Sequence, residues 1–226
     1  MRLHFSLSPN RSIVPFDYPH FLTGKFHQWL GQNDLHDGLS LYSLGWLQGG
    51  HKRGDGLAFP RGASWFISAP DTKAGDDLLA RVADAALKEP SVCCGMEVVE
   101  IQAQRTPEFG ERRVFRADSP IFLRGPRTPE GLDPHLIYSD QGADEILTHV
   151  LRRKLEAAGL EEHAQSATLQ FDRSFQHPKT RLIQVQESRK RASVCPVIAQ
   201  GSPEAVRFVY NVGAGHLTGS AFGSLV

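Results

Sequence analysis

Apolar and polar residues alternate along residues 2–8, where Leu3, Phe5 and Leu7 share one side of an extended chain; this period of two predicts a half-buried strand. The period then lengthens. Within Pro19–Leu30 the apolar residues Leu22, Phe26, Trp29 and Leu30 stand at i, i+4, i+7 and i+8, one face of a helix. Alternation returns over residues 39–47 and 63–69 and predicts a second and a third strand, with an exposed turn at the Gly-, Lys- and Arg-rich residues 49–56 between them. A second helix is expected over residues 72–88, opened by Asp76 and Asp77, packed through Leu78, Leu79, Val82 and Ala86, and stopped before Pro90. Residues 98–104 alternate again. Strand, helix, strand, strand, helix, strand is the ferredoxin-like order, a fold that hosts many functions.

The second half has the same ingredients in a looser order. A Pro-, Gly- and charge-rich linker at residues 106–113 and a loop at 126–134 bracket an expected strand over 115–123. Ile146, Val150, Leu151 and Leu155 predict a helix over 143–158. Strands are expected over 168–175 and 180–186, then a turn at Ser188-Arg189-Lys190-Arg191 leading into 192–199; Val206, Phe208 and Tyr210 alternate towards the C-terminus. The fold class expected is α+β, with tandem ferredoxin-like (βαββαβ) domains: an N-terminal one at 1–108, and a second at 109–226 that is degenerate and strand-rich.

The chain closes on a glycine-rich loop. Gly213, Gly215, Gly219 and Gly223 are spaced by two, four and four residues, which places backbone without side chains where another chain or a ligand can come close. A dinucleotide fingerprint is excluded, because the spacing is G-x-G-x-x-x-G and no room remains for the helix, strand and ribose-binding acid that would have to follow. A phosphate or backbone cradle and a plain flexible terminus both stay open.

Composition narrows the class of protein. With 226 residues, 40% of them hydrophobic, the chain can bury a substantial core, and it has no apolar run near the roughly 20 residues of a membrane span. The start also lacks the basic and apolar regions of a secretory signal, so a cytoplasmic protein with no membrane partner is expected. Cys93, Cys94 and Cys195 offer neither a disulfide framework nor metal spacing. A formal net charge of zero conceals an asymmetry: six Lys/Arg against four Asp/Glu in residues 1–66, twelve against eighteen in 67–166, and seven against three in 167–226. If the two basic ends face each other they form a positive surface for an anionic polymer; an unevenly charged but merely solvated surface is the alternative.

Two ferredoxin-like halves ending in Gly213-Ala-Gly215-His-Leu-Thr-Gly219-Ser-Ala-Phe222-Gly223, with an opening strand, the helix at Pro19–Leu30 and then Asp34-Leu35-His36-Asp37, resemble the RAMP superfamily of CRISPR-associated RNA-binding proteins. Within it they are similar to the sixth Cas family, the endoribonuclease that cuts CRISPR repeat transcripts. The family usually continues into a further strand after the glycine loop. Here only Ser224-Leu225-Val226 follow, which implies a truncated strand or a domain of a longer chain.

The chemistry implied needs few groups. RNA carries its own nucleophile, the 2′-hydroxyl, so scission requires a base, an acid for the leaving 5′-oxygen and charge stabilisation at phosphate; no metal and no cofactor is called for. Histidine can make either proton transfer. His36, in a polar loop after the first helix, matches the position where the family places its catalytic histidine. His27 lies near the position of a second catalytic tyrosine or histidine; it and His20 are seven residues apart on a helix face beside or opposite the apolar stripe. Tyr42 is a third catalytic candidate, with a packed strand tyrosine as the plain alternative. The lysine that some members carry near Gly38 is absent, and Lys52 or Arg53 can substitute. For binding, the resemblance points to Arg189, Lys190 and Arg191 at a hairpin tip, flanked by Lys179 and Arg181, and to Gly213, Gly215, His216 and Gly219 in the loop.

The resemblance implies CRISPR repeat RNA as partner, other Cas proteins of an effector or adaptation complex as further ones, and a monomer or homodimer. A non-catalytic RAMP protein holding guide RNA as a structural subunit, and a ferredoxin-like domain binding a small phosphorylated ligand, are the alternatives.

Overall fold

The computed structural model describes residues 1–31, 39–129, 131, 133–185 and 188–226. Its elements in chain order are β1 (Arg2–Leu7), β2 (Val14–Pro15), α1 (Pro19–Leu30), β3 (Ser43–Leu44), β4 (His51–Arg53), β5 (Gly56–Ala58), β6 (Ala63–Ser68), α2 (Lys73–Lys88) and β7 (Val98–Gln104). The second half contains β8 (Arg112–Phe115), β9 (Leu123–Arg124), β10 (His135–Leu136), α3 (Ala143–Ala157), α4 (Glu161–Ala164), β11 (Thr168–Phe171), β12 (Lys179–Val185), β13 (Ser188–Val194), β14 (Val197–Gln200), α5 (Pro203–Val212) and a 3₁₀ turn at Thr218–Ser220.

In the first half the sheet order is β3-β6-β1-β7 with every pair antiparallel, the ferredoxin-like arrangement. Phe5 stands opposite Trp65 and Ile101, and its ring packs 5.6 Å from Trp29 of α1 and 5.3 Å from Trp65. The predicted helices form because each carries an apolar stripe and a start signal: Pro19 at the first turn of α1, and the Thr72 hydroxyl accepting from the Gly75 N–H in α2.

The second half repeats the plan. β8, α3, β11, β14 and α5 make a sheet in the order β11-β14-β8 with both helices in its core, and the β12–β13 hairpin is inserted between β11 and β14. The fourth strand position is filled by residues 224–226: Leu225 bridges Ala117, and Arg116 and Val226 exchange backbone hydrogen bonds of 2.8 and 2.9 Å.

Several expected elements differ from the observed ones. Only Ser43–Leu44 of residues 39–47 pairs as a strand; past Gly45 the backbone N–H of Trp46 donates to the Asp118 carboxylate in the other half instead of to a neighbouring strand. The expected turn at 49–56 is the β4–β5 hairpin, with Gly54 alone at its bend in the left-handed region, φ 61°. Residues 115–123 keep isolated bridges rather than one strand. β11 ends at Phe171, where the Asp172 carboxylate accepts from the Ser174 N–H and turns the chain. Residues 188–191 belong to β13 rather than to a turn. Val206, Phe208 and Tyr210 lie on a helix: Ser202 caps it by accepting from the Ala205 N–H and Pro203 opens it, a start signal that outweighs three alternating apolar residues.

A single buried guanidinium ties the halves together. Arg2 is 2% exposed; it lies between the Phe66 and Tyr210 rings, 4.3 and 3.6 Å from their centroids, and donates to the carbonyls of Tyr210 at 2.7 Å and Leu225 at 2.6 Å. Burial pulls its pKa down to about 10, so it remains charged at neutral pH. Asp118 reinforces the seam by accepting from the Trp46 N–H, Gln48 and Ser224. Arg2→Met leaves two buried carbonyls without a donor and is expected to cost about 3–5 kcal/mol, read as a lower urea midpoint with an unchanged slope.

Candidate nucleic-acid interface

Helix α1 presents Pro19, His20, Thr23, Gly24 and His27 to a cavity of about 450 Å³. The opposite walls are Ser220, Ala221 and Phe222 of the C-terminal loop and Ile183, Gln184 and Val185 at the end of β12. Trp46 closes one side, its indole N–H donating to the Ala221 carbonyl at 2.7 Å. His27 is half-buried, edge-on to Phe26 at 5.2 Å. A larger cleft of about 680 Å³ lies on the other side of Trp46, between the base of the β4–β5 hairpin and Arg181, Leu182 and Ile183 of β12. His36 lies outside the described residues, so its distance from His27 is not among the observations.

Tyr42 takes the place its plain alternative assigned to it. It is 2% exposed with its ring 4.8 Å from Phe26, and burial raises its pKa. A Cβ at Gly219 would come within 2.7 Å of its hydroxyl, so the tyrosine backs the loop from inside the core and is not presented to solvent, contrary to the expected catalytic role.

The glycine loop is packed against the rest of the chain. Gly213, Gly215 and Gly219, expected to contact RNA, are buried in the folded chain. Gly213 and Gly215, both at φ 76°, face the carbonyls of Gly223 and Phe122, where a Cβ would sit 2.5 and 2.6 Å away. Several of the loop's amides are bonded within the protein: Ala214 donates to Gly223 O, His216 to Phe122 O and Gly223 to Pro120 O. Only His216, Leu217 and Ser220 between Gly213 and Gly223 are even half-exposed. His216 Nδ1 accepts from the Arg124 backbone N–H at 3.2 Å, and burial beside Arg124, Lys154 and Arg153 brings its pKa down to about 4. It is neutral at pH 7 and fills the loop.

Beneath the loop lies a residue that the sequence reading passed over. Lys154 occupies the buried stripe of α3 with Val150, Leu151 and Leu155, is 2% exposed, and donates to the Val212 carbonyl at 3.3 Å and the Thr218 hydroxyl at 2.9 Å. Burial brings its pKa down to about 7. The signal was legible: a lysine at a position where the helical period demands an apolar residue.

The cations separate by face. In the β12–β13 ladder Arg181 is opposite Ala192 and Ile183 opposite Lys190, so Lys179, Arg181 and Lys190 share one side, with Arg181 5.9 Å from the Trp46 centroid and Lys190 5.6 Å from that of Phe122. Arg189 and Arg191 occupy the other side, opposite Gln184 and Leu182. The contiguous run Arg189-Lys190-Arg191 is thus two groups. Lys52 and Arg53 are exposed on β4. Two unpredicted members adjoin the hairpin: Arg124, 3.8 Å from Asp133, and His135, whose Nδ1 accepts from the Arg191 N–H at 3.3 Å. Burial and the neighbouring Lys190, Arg124 and Arg191 lower the His135 pKa. Among the described residues no group of three or more His, Cys, Asp or Glu is placed to hold a metal ion.

The fold and this face define a tandem ferredoxin-like protein of the RAMP type. Residues 104–226, more than half of the chain, match the family model described as CRISPR associated protein Cas6, C-terminal, and the chain belongs to the Cas6 family. No curated protein matches its sequence. Its fold is similar over 100% of its length to that of a RAMP protein binding different RNA substrates (TM-score 0.85, 22% identity, 98% of that chain). It is equally similar to a Cas6-related protein from Pyrococcus furiosus (TM-score 0.84, 21% identity, 97% of that chain). A Cas6 product complex is a more distant likeness, at TM-score 0.67 and 14% identity over 98% of that chain.

Lys154→Ala removes the support of the loop and leaves the Val212 carbonyl and Thr218 hydroxyl buried without their donor; a loss of about 2–4 kcal/mol is expected by denaturant titration. His216 is less easily protonated in the folded than in the unfolded chain. Its contribution is complete above about pH 6.5 and lost as pH falls towards about 4, so His216→Gln should flatten the fall of the thermal midpoint across that window.

Proposed function

We propose that this protein is a metal-independent endoribonuclease that binds CRISPR repeat RNA and cuts the precursor transcript by attack of a 2′-hydroxyl, leaving a 2′,3′-cyclic phosphate or 3′-phosphate and a 5′-hydroxyl. Membership of the Cas6 family supports repeat-RNA binding and processing as the general activity. The observation that carries the finer reading is His27, half-buried on α1 at a cavity whose far wall is the C-terminal loop.

In this reading His27 and His36 are the acid and base. One takes the proton of the 2′-hydroxyl while the other protonates the leaving 5′-oxygen, and both transfers suit groups that titrate near neutrality. Lys179, Arg181, Arg189, Lys190 and Arg191 of the hairpin, with Lys52 and Arg53 of β4, neutralise phosphates along the bound strand. Tyr42 has no part in the chemistry.

The test is a labelled repeat RNA incubated with the protein in excess EDTA, beside a copy carrying a 2′-deoxy nucleotide at the cut. A single cut that survives EDTA and disappears in the 2′-deoxy copy is expected. His36→Ala and His27→Ala should each lower the rate by roughly 10²–10⁴-fold while leaving RNA affinity in place. Tight binding without a cut would make the protein a non-catalytic subunit holding guide RNA. Each hairpin cation replaced by Ala should weaken binding across sequences and reduce the salt slope by about 1.

A further inference from the structure

Two glycines lie inside long helices of this chain, and only one is explained by packing. In α2, a Cβ at Gly75 would collide with the Pro70 carbonyl, so the close approach of that helix to the chain before it requires glycine. In α1, Gly24 has no such neighbour: among the described residues, beyond its chain neighbours and the backbone of its own helix, no atom lies within 4 Å of a Cβ built there, and the residue is exposed with ordinary helical backbone. A glycine in such a position costs a helix about 1 kcal/mol relative to alanine. Nothing in the fold offsets that cost. Gly24 lies one helical turn from each of His20 and His27, and all three line the 450 Å³ cavity.

We propose that this cavity receives one unstacked nucleotide of the bound RNA, its base lying against the bare backbone of α1 at Gly24. This rests on the reading of the chain as a repeat-RNA-binding protein and adds to it a site for a single base. The volume falls within the roughly 300–1,000 Å³ of small-ligand sites. Among the described residues the lining includes no lysine or arginine, which suits the base of a nucleotide inside the cavity and its phosphates at the mouth. Trp46, half-buried, supplies aromatic surface for stacking, and Phe222 packs behind the wall from the core; the Trp46 N–H is already spent on Ala221, which fixes the ring. The rim offers acceptors for base N–H groups. Thr23 Oγ1 donates to Pro19 O at 3.1 Å and keeps its lone pairs free. The His20 Nδ1–H donates to the Asp17 carbonyl, which can only accept, so in the neutral ring Nε2 is left as an acceptor. Arg189, bonded to the lining residue Gln184 at 3.2 Å, brings a cation to the rim for the phosphates on either side.

The experiment compares Gly24→Ala and Gly24→Val with the unaltered protein in thermal midpoint, in affinity for the repeat RNA, and in the fluorescence of 2-aminopurine placed singly along that RNA. Both replacements are better helix formers than glycine, so the midpoint should rise. Affinity should fall, modestly for Ala and at least tenfold for Val, and a single 2-aminopurine position should change intensity on binding the unaltered protein and not the Val variant. A raised midpoint with unchanged affinity would overturn the proposal. So would a fall of midpoint and affinity together, which would make Gly24 a requirement of folding, or the absence of any responding 2-aminopurine position. Failure of the unaltered protein to bind repeat RNA at all would instead defeat the functional reading beneath it, and this site with it.

Discussion

The structure depends on a cation placed where a core would ordinarily exclude one. Arg2 is the second residue of the chain, yet its two carbonyl partners, Tyr210 and Leu225, bracket the C-terminal loop. Burying a guanidinium is tolerable only when its donors are matched and its charge is offset. Here two carbonyls, the Ser68 hydroxyl and the faces of Phe66 and Tyr210 supply the match. The consequence is geometric: the first strand of one half pins both ends of the segment between α5 and the last strand of the other. That segment carries Ser220, Ala221 and Phe222, so the far wall of the α1 cavity is held by the same residue that joins the halves. Lys154 supports the middle of the segment from below, and the glycines allow its backbone to cross itself without a Cβ in the way.

Charge is used differently at the seam and at the surface. The basic ends of the chain do meet, but several of their cations are spent on structure. Arg2 is buried, Arg207 pairs with Asp71 at 2.9 Å and Arg173 with Asp144. Exposed cations that remain include Lys52, Arg53 and Arg61 and those of the β12–β13 hairpin, joined by Arg124 and His135 from the short β9–β10 ladder. Strand alternation puts the hairpin's cations on two faces. Arg181 lies over Trp46 and Lys190 over Phe122, with Lys179 on the same side of the ladder, and Arg189 and Arg191 lie on the other side, so the hairpin offers cations on both of its faces.

Membership of the Cas6 family rests on the C-terminal half, where the family model matches, whereas the candidate catalytic histidines belong to the N-terminal half. The two meet across one cavity. His27 comes from α1 and its facing wall from the segment that the family model covers, which is why neither half alone describes the site.

Periodicity and punctuation were enough for the sequence alone to determine the ferredoxin-like order of the first half, the helices at Pro19–Leu30 and residues 143–158, and the RAMP resemblance of the glycine spacing. Those signals are local, set by which side of an element faces the core. They failed where a non-local partner competes, as at residues 39–47, which give hydrogen-bonding groups to Asn211 and Asp118, and where one local signal outweighs another, as at Val206 to Tyr210, which obey a helix cap four residues upstream of their first member. Lys154 was legible as a cation out of phase with its helix, but its place under the loop was not. Tertiary structure alone decided that Tyr42 is core, that Gly213 and Gly215 lie against backbone carbonyls, and that Lys190 points to the other side from Arg189 and Arg191. Each depends on what the far end of the chain brings against these residues, and no local pattern encodes that.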